Sequence, residues 1–179
     1  AARAPGDPAA MTLSTTDRLR LLRLTLDDAA FILELLNTPG FLRFVGDRGV
    51  RTQEEARRFL AERYLPSYEK NGFGLYRVEL KEEGTPIGIC GLLRRPELEN
   101  VDLGFALLPR FEGLGYAGEA AAAVVAEARE VHRLARLAAI TDPANRGSIR
   151  VLRRLGFRLD GRLMLGSDVP GHDYHLSLP

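Results

Sequence analysis

Residues 103–120 read LGFALLPRFEGLGYAGEA, and the chain on either side is best understood from this stretch. It begins as an apolar run, breaks at Pro109, passes through Gly113 and Gly115, and continues into an alanine-rich segment. The pattern predicts a strand that leads through a glycine loop into a helix. Unpaired backbone N–H groups at the positive end of such a helix bind phosphate oxygens. Because glycine turns before helices are common, a plain strand–turn–helix connection is an equal alternative for this stretch alone.

The composition is that of one ordinary globular domain. The 179 residues are enough for one domain with a hydrophobic core and too few for two domains of ordinary size. The net charge is +1, from 25 basic and 24 acidic side chains, so no global field attracts nucleic acid or an anionic membrane. No stretch approaches the roughly 20 apolar residues of a membrane span. We therefore expect neither nucleic acid nor a membrane as a partner.

Cys90 is the single cysteine, so no internal disulfide can form and a reducing, cytoplasmic location is the plain interpretation. It lies in the apolar run IGICGLL, which favours a small buried side chain over a nucleophile. The first ten residues, AARAPGDPAA, lack the apolar segment of a signal peptide. Residues 1–11 are expected to be a disordered leader or a cloning remnant, with Met11 as a plausible start, and residues 12–179 a single domain.

Hydrophobic periodicity predicts the element order β-α-α-β-β-β-α-β-α-β-β. Thr25 and Thr52 are the predicted N-caps of the first two helices. The predicted strands are 18–24, 73–80, 86–93, 101–108, 136–141, 157–165 and 172–178, and the predicted helices are 26–37, 53–68, 115–131 and 148–155. With no internal repeat or linker after residue 11, this order predicts one mixed α/β domain.

Two motifs resemble the GNAT acyltransferases. The first is the R-x-x-G-x-G loop formed by Arg110, Gly113 and Gly115, and the second is N-x-x-S-x-R-V-L-x-x-L-G-F, from Asn145 to Phe157. Both motifs in this order, flanking a helix and a strand, are more specific than either alone, and the likeness covers roughly residues 16–178. Within the family the chain is most similar to the bacterial ribosomal-protein N-terminal alanine and serine acetyltransferases (RimJ/RimL-type). The resemblance implies an α+β fold: a mixed, mostly antiparallel central sheet of about seven strands, flanked by four helices.

The same resemblance implies acetyl-CoA as cofactor and an amine as acceptor. The CoA pyrophosphate is expected at the amides of residues 113–117, where a side chain in the glycine loop would hold the backbone away. Pantetheine is expected beside the strand ending at residues 107–108, which splays from the next strand. Asn145 is expected to face pantetheine, and Arg153 or Arg154 to approach the adenosine phosphate. The predicted cofactor-binding residues are Leu107, Leu108, Arg110, Gly113, Leu114, Gly115, Tyr116, Ala117, Asn145, Ser148 and Arg153.

Acetyl transfer needs a neutral amine, a polarised thioester carbonyl and a proton for the departing thiolate. An α-amino group, with a pKa of ~7.7–8.0, is partly neutral at physiological pH and needs only a modest base. Asp102 is the best-placed carboxylate, with Glu97 and Glu99 just upstream. The alternative for Asp102 is a solvated acid at a strand edge. A backbone N–H near Leu107 is the predicted oxyanion donor.

The predicted proton donor to the thiolate departs from the common family pattern. Many members place a tyrosine four residues after the position held here by Ser148, where this chain has Leu152. The Ser148 hydroxyl is therefore predicted to bond the sulfur; the alternative is a helix-start residue bonding its own backbone. Glu112 is a second departure, because a carboxylate in the pyrophosphate loop would weaken CoA binding if it points inward and cost little if it points outward.

The three histidines lack the spacing of a metal site, so no metal is expected. By resemblance, His172 and His175 lie near a hairpin that lines the acceptor side. Either is a candidate base, although an exposed histidine is the favoured interpretation. Asp47 and Arg48 either shape the acceptor pocket or belong to a surface loop.

The sequence therefore predicts a cytoplasmic, acetyl-CoA-dependent N-acetyltransferase that acts by direct attack of a primary amine on the thioester. The acceptor is a protein N-terminus or a small molecule. A non-catalytic CoA-binding module or sensor is one alternative, and an α/β domain without a cofactor is another. Either a monomer or a homodimer is expected, since hairpin-edge dimers are common in the resembled family.

Overall fold

The computed structural model describes residues 12–165 and 169–178, apart from the side chains at 163–165, 169, 170 and 172. The expected leader, residues 1–11, therefore lies outside the described residues. The strands are β1 Thr12–Thr15, β2 Leu19–Arg23, β3 Leu75–Leu80, β4 Pro86–Leu93, β5 Asp102–Leu107, β6 Arg136–Thr141, β7 Arg158–Leu165 and β8 Val169–Ser177. The α-helices are α1 Ala29–Leu36, α2 Pro39–Phe44, α3 Gln53–Phe59, α4 Pro66–Asn71, α5 Tyr116–Glu130 and α6 Arg146–Arg154.

The strands form one sheet in the order β1-β2-β3-β4-β5-β6-β8-β7. All neighbours pair antiparallel except β5 and β6, which are parallel. This confirms the predicted mixed, mostly antiparallel α/β fold. The strand number is corrected to eight in the described chain, because the short, half-polar segment TLST of β1 gives little periodic signal and becomes a strand only by pairing with β2.

The predicted N-caps Thr25 and Thr52 are confirmed, and each forms a capping box. The segment expected to end the first helix instead starts a new one. Thr38 accepts a hydrogen bond from the Phe41 N–H (3.4 Å) and Pro39 occupies the first turn of α2, where its missing N–H costs nothing. The predicted helix 53–68 is also divided, since a π-helical turn, Leu60–Tyr64, separates α3 from α4, which begins at Pro66.

Helices cover both faces of the sheet. On one face, α5 and α6 pack on a core that includes Val78, Leu92, Leu103, Val124 and Leu137. On the other face, α1, α2 and α3 pack on a core that includes Ile32, Leu35, Phe41, Ala56 and Ile89. Alanine at the buried positions of α5 lets this helix lie close to the strands, so its N-terminus is held at the end of β5.

Candidate active site

The sheet opens between β5 and β6. In the described chain these strands share one registered pair, Asp102 with Ala138, where the Ala138 N–H donates to the Val101 carbonyl (2.9 Å). In contrast, β5 pairs with β4 along its whole length. The two parallel strands therefore part immediately after Asp102, which is the splay that the resemblance implied.

Backbone groups of β5 face this opening. The Leu108 N–H donates to the Ile87 carbonyl (2.8 Å), so it is turned toward β4. Because successive peptide groups of a strand alternate in direction, the N–H groups of Phe105 and Leu107 point toward the gap. An extended chain carrying amides can pair with them there.

The loop after β5 carries two glycines in the left-handed region, Gly113 with φ +75° and Gly115 with φ +84°. Both conformations favour glycine. Gly115 is also the N-cap of α5, where no side chain caps the first N–H groups of the helix. A Cβ at Gly113 would meet nothing within 4 Å, so this turn presents open backbone. The geometry is that of an anion site at a helix N-terminus.

The start of α6 faces the same space. Asn145 caps the helix, its Oδ1 accepting from the Ser148 N–H (3.2 Å). The Ser148 hydroxyl itself has no hydrogen-bond partner in the part of the chain that the structure describes, so the alternative of a hydroxyl bonded to its own backbone is not observed. Leu152 is buried in the core. Ser148 thus presents a free hydroxyl at the cavity wall.

These elements enclose a cavity of about 820 Å³, a volume typical of ligand sites. Helix α2 forms the opposite wall through Phe41 and Phe44. The predicted cofactor residues that line this cavity are Leu107, Gly113, Gly115, Tyr116, Ala117, Asn145 and Ser148. Glu112 lines it too and is exposed, and the direction of its carboxylate stays a prediction.

Four predicted cofactor residues lie off the cavity wall. Leu108 is buried, and Leu114 is exposed. The Arg110 guanidinium is turned to α1, with Nη1 2.6 Å from Glu34 Oε1. Arg153 lines a neighbouring groove on α6.

Arginines of α6 surround the cavity mouth. Arg146, Arg150 and Arg154 line the cavity, and together with Arg153 they line the neighbouring groove. None of the four forms an ion pair with a described residue. Guanidinium groups bind phosphates bidentately, so this surface suits a phosphorylated ligand. Of the two arginines that the resemblance offered for the adenosine phosphate, Arg154 lines the cavity.

Asp102 lies where the strands part. Val101 and Leu103 face the core under α5, so Asp102 points to the opposite face of the sheet. Its side chain is only 2% exposed and accepts from Arg95 Nε (3.1 Å), whereas Oδ1 has no partner among the described residues. It is therefore not the solvated acid of the alternative interpretation. Burial raises the pKa of Asp102 to about 6; Arg95 opposes this shift and the charge of Asp173 adds to it.

Asp173 and His175 share this face. Ala138 pairs with both Asp102 and His175, which places these two in one row across three strands. His175 Nε2 lies 2.8 Å from Asp173 Oδ2. Its side chain is 15% exposed, so the expectation of an exposed histidine is wrong here. Asp173 Oδ1 and His175 Nδ1 are buried without a partner within the described ranges.

Asp102, Asp173 and His175 do not line the cavity, and the other polar candidates lie apart from this row. His132 bonds Glu127 Oε1 (2.8 Å), just past the C-terminal end of α5, and the side chain of His172 lies outside the described residues. Asp47 is exposed and paired with Arg51 (2.6 Å), away from the cavity wall, in keeping with the surface-loop interpretation. The described residues contain no group of His, Cys, Asp or Glu that could hold a metal ion. None of their helices has the length and apolar composition of a bilayer span.

Residues 18–158 match the protein family described as the acetyltransferase (GNAT) domain. The chain belongs to the GNAT acetyltransferases. The acetyltransferase is 31% identical to the uncharacterized protein YkkB of Bacillus subtilis (strain 168), over 82% of this chain and 86% of that one. It is 30% identical to an acetyltransferase from Agrobacterium tumefaciens C58, with a TM-score of 0.77 over 92% and 93% of the two chains. It shares its fold with RimL, a ribosomal L7/L12 α-N-protein acetyltransferase solved with coenzyme A, at 17% identity and a TM-score of 0.80 over 93% and 98%.

Acetyl-CoA is accordingly the cofactor of the acetyltransferase, and the cavity fits it. The open glycine turn suits the pyrophosphate, the unpaired edge of β5 suits pantetheine, and the arginines of α6 suit a further phosphate. When bound, acetyl-CoA supplies the thioester. The individual roles of the lining residues stay predictions.

Sequence reasoning missed the groups that act on this site from a distance. Arg95 and Asp173 approach Asp102 from a loop and from β8, and Arg18 approaches the glycine loop from the residue before β2. The sequence around each of them is typical of any half-buried strand or loop. The pattern of a single sequence does not indicate which distant residues will be in contact.

Proposed function

We propose that the acetyltransferase acts on a primary amine, with Asp102 receiving the proton of the acceptor and Ser148 donating one to the departing thiolate. One observation carries the proposal. Asp102 Oδ1, Asp173 Oδ1 and His175 Nδ1 are buried and lack partners within the described chain, on the sheet face beside the point where β5 and β6 part. A primary ammonium has three N–H donors and no acceptor, which matches these three groups in number. They are all acceptors when His175 carries its proton on Nε2, toward Asp173 Oδ2.

The proposed proton transfers follow from the surroundings of each group. A carboxyl whose pKa is about 6 is ionised at neutral pH, yet it is a stronger base than an ordinary aspartate. The bound ammonium first gives one proton to Asp102, directly or through water, which frees the nitrogen lone pair that bonds the carbonyl carbon. The second proton leaves the nitrogen for solvent as the amide forms. The Leu107 N–H, which faces the gap, would stabilise the oxyanion. As the carbon–sulfur bond breaks, the free hydroxyl of Ser148 gives its proton to sulfur and recovers one from solvent.

The class of acceptor follows from the same chemistry. Protein N-termini and small-molecule amines both present a primary ammonium, and an α-amine needs the weaker base. The fold shared with a ribosomal-protein α-N-acetyltransferase supports including N-terminal peptides among the acceptors tested. A single buried, unpaired thiol, Cys90, supports a reducing, cytoplasmic location. Whether the enzyme is a monomer or a homodimer stays a prediction.

The test combines turnover with cofactor binding. Purified S148A and D102N are assayed for CoA release against a panel of N-terminal peptides and small amines, and CoA affinity is measured by calorimetry. We expect kcat to fall by about 10²-fold or more for D102N, with a smaller fall for S148A, while CoA affinity stays within about threefold. D27N is the matched control, because Asp27 is exposed, lies in the segment Leu26–Asp28 and does not line the cavity. Unchanged kcat in both variants would overturn the assigned roles.

A further inference from the structure

The glycine loop is joined to the N-terminal hairpin by a compact polar contact. Arg18 directly precedes β2, and Glu119 lies in the first turn of α5. Glu119 Oε2 accepts from Arg18 Nε (2.7 Å), and Oε1 accepts from the Arg18 backbone N–H (2.9 Å) and from Thr16 Oγ1 (2.6 Å). Both carboxylate oxygens are therefore engaged by residues about a hundred positions away in the chain.

The same guanidinium contacts the loop itself. Arg18 Nη1 donates to the Leu114 carbonyl (3.0 Å), and its guanidinium carbon lies 4.4 Å from the centre of the Tyr116 ring. In a trans peptide the C=O and the following N–H point in opposite directions. Holding the Leu114 carbonyl toward Arg18 therefore turns the Gly115 N–H away from it. Arg18 thus fixes the peptide group that enters α5.

Charge gives this contact a second effect. Glu119 lines the cavity at the N-terminus of α5, where a diphosphate is expected. Although burial opposes it, the hydrogen bonds from Thr16 and Arg18 hold the pKa of Glu119 below its usual value, so this carboxylate is charged at neutral pH. Without the Arg18 guanidinium, Glu119 would keep its bonds to Thr16 and to the backbone but lose its cationic partner, and its negative charge would face the phosphates of the cofactor.

We propose that Arg18 is a positioning residue for cofactor binding, which orients the 114–115 peptide and neutralises Glu119. Arg18 does not line the cavity, so it acts through these two groups. This role of Arg18 concerns binding of the established cofactor, and it is independent of the acceptor and of the roles proposed for Asp102 and Ser148.

The experiment is a double-mutant cycle on CoA affinity. Calorimetry gives the Kd of CoA for the wild type, R18Q, E119Q and R18Q/E119Q, and steady-state kinetics give both KM values. R18Q is expected to raise the Kd of CoA and the KM of acetyl-CoA by at least about tenfold, because a charge-assisted pair is lost and a carboxylate is left unpaired. The KM of the amine should stay within about twofold. E119Q added to R18Q should recover part of the affinity, since it removes the repelling charge.

Further variants separate positioning from support of the fold. R20Q is the matched control, because Arg20 lies two residues further along, in β2, and pairs with Glu79 (2.9 Å), away from the loop. R18K should recover part of the affinity by keeping the charge. R18Q should weaken the binding of dephospho-CoA by the same factor as the binding of CoA, since the 3′-phosphate is not expected at this turn. If R18Q lowers the Tm as R20Q does but binds CoA like the wild type, Arg18 is only structural and the proposal fails. Equal Kd values for R18Q and R18Q/E119Q would refute the charge effect.

Discussion

Replacing Asp102 by asparagine should stabilise the folded enzyme at pH 8 while lowering its kcat. Burial raises the pKa of Asp102 from 3.8 to about 6, despite the opposing charge of Arg95. The folded protein therefore binds this proton more tightly than the unfolded chain does. It follows that ionisation lowers the free energy of unfolding progressively as the pH rises from 3.8 to about 6, and that the loss is constant above this range.

The magnitude follows from the pKa difference. From 3.8 to about 6 is about 2 pKa units, which at ~1.4 kcal/mol each corresponds to about 3 kcal/mol at pH 8. At pH 4 the same relation gives a destabilisation of only about 0.5 kcal/mol, because most of the carboxyl is protonated in the folded state. Asparagine keeps the volume of the side chain and carries no charge, so D102N should gain these amounts relative to the wild type. For a domain of this size the gain at pH 8 raises the Tm by roughly 6–12 °C.

Thermal unfolding followed by circular dichroism at pH 8 and pH 4 measures the effect directly. D27N serves as the control, because Asp27 is exposed in the segment Leu26–Asp28, and its Tm should differ little from the wild type at either pH. A lower Tm for D102N at pH 8, or a gain equal at both pH values, would refute the reasoning that a buried charge sets this pKa.

Two further predictions concern the core. G91A should lose about 2–3 kcal/mol of unfolding free energy by thermal melting, because its Cβ would overlap the Gly74 carbonyl oxygen in the neighbouring backbone. G118A, with open space around its Cβ in α5, should instead keep or gain unfolding free energy. Equal Tm values for G91A and G118A would contradict the packing argument. Burial, with the charge of Glu127, raises the pKa of the Cys90 thiol, so native enzyme at pH 8 should not react with a thiol reagent that labels the unfolded chain stoichiometrically. Rapid labelling of native enzyme would show that Cys90 is accessible.

The sequence predicts those parts of the site that lie within one short segment of the chain. The glycine loop, the Asn145 cap and Ser148 are each contained in a short stretch, and the structure brings them to one cavity. Helix α2 was missed because Pro39 and Gly40 usually end helices, whereas the Thr38 cap makes them a beginning. The contacts of Glu119 with Arg18, and of Asp102 with Asp173, join segments far apart in the chain. Only the folded sheet brings these charges together.

The single registered pair between β5 and β6 divides the sheet into two panels, β1–β5 and β6–β8, which share no other strand pairing among the described residues. A cofactor whose amides pair with the free edge of β5 would act as a missing strand and tie the panels together. Hydrogen exchange in the C-terminal panel should then slow sharply when CoA is added. The resistance of the protein to local opening, and to proteolysis, would therefore follow the supply of acetyl-CoA.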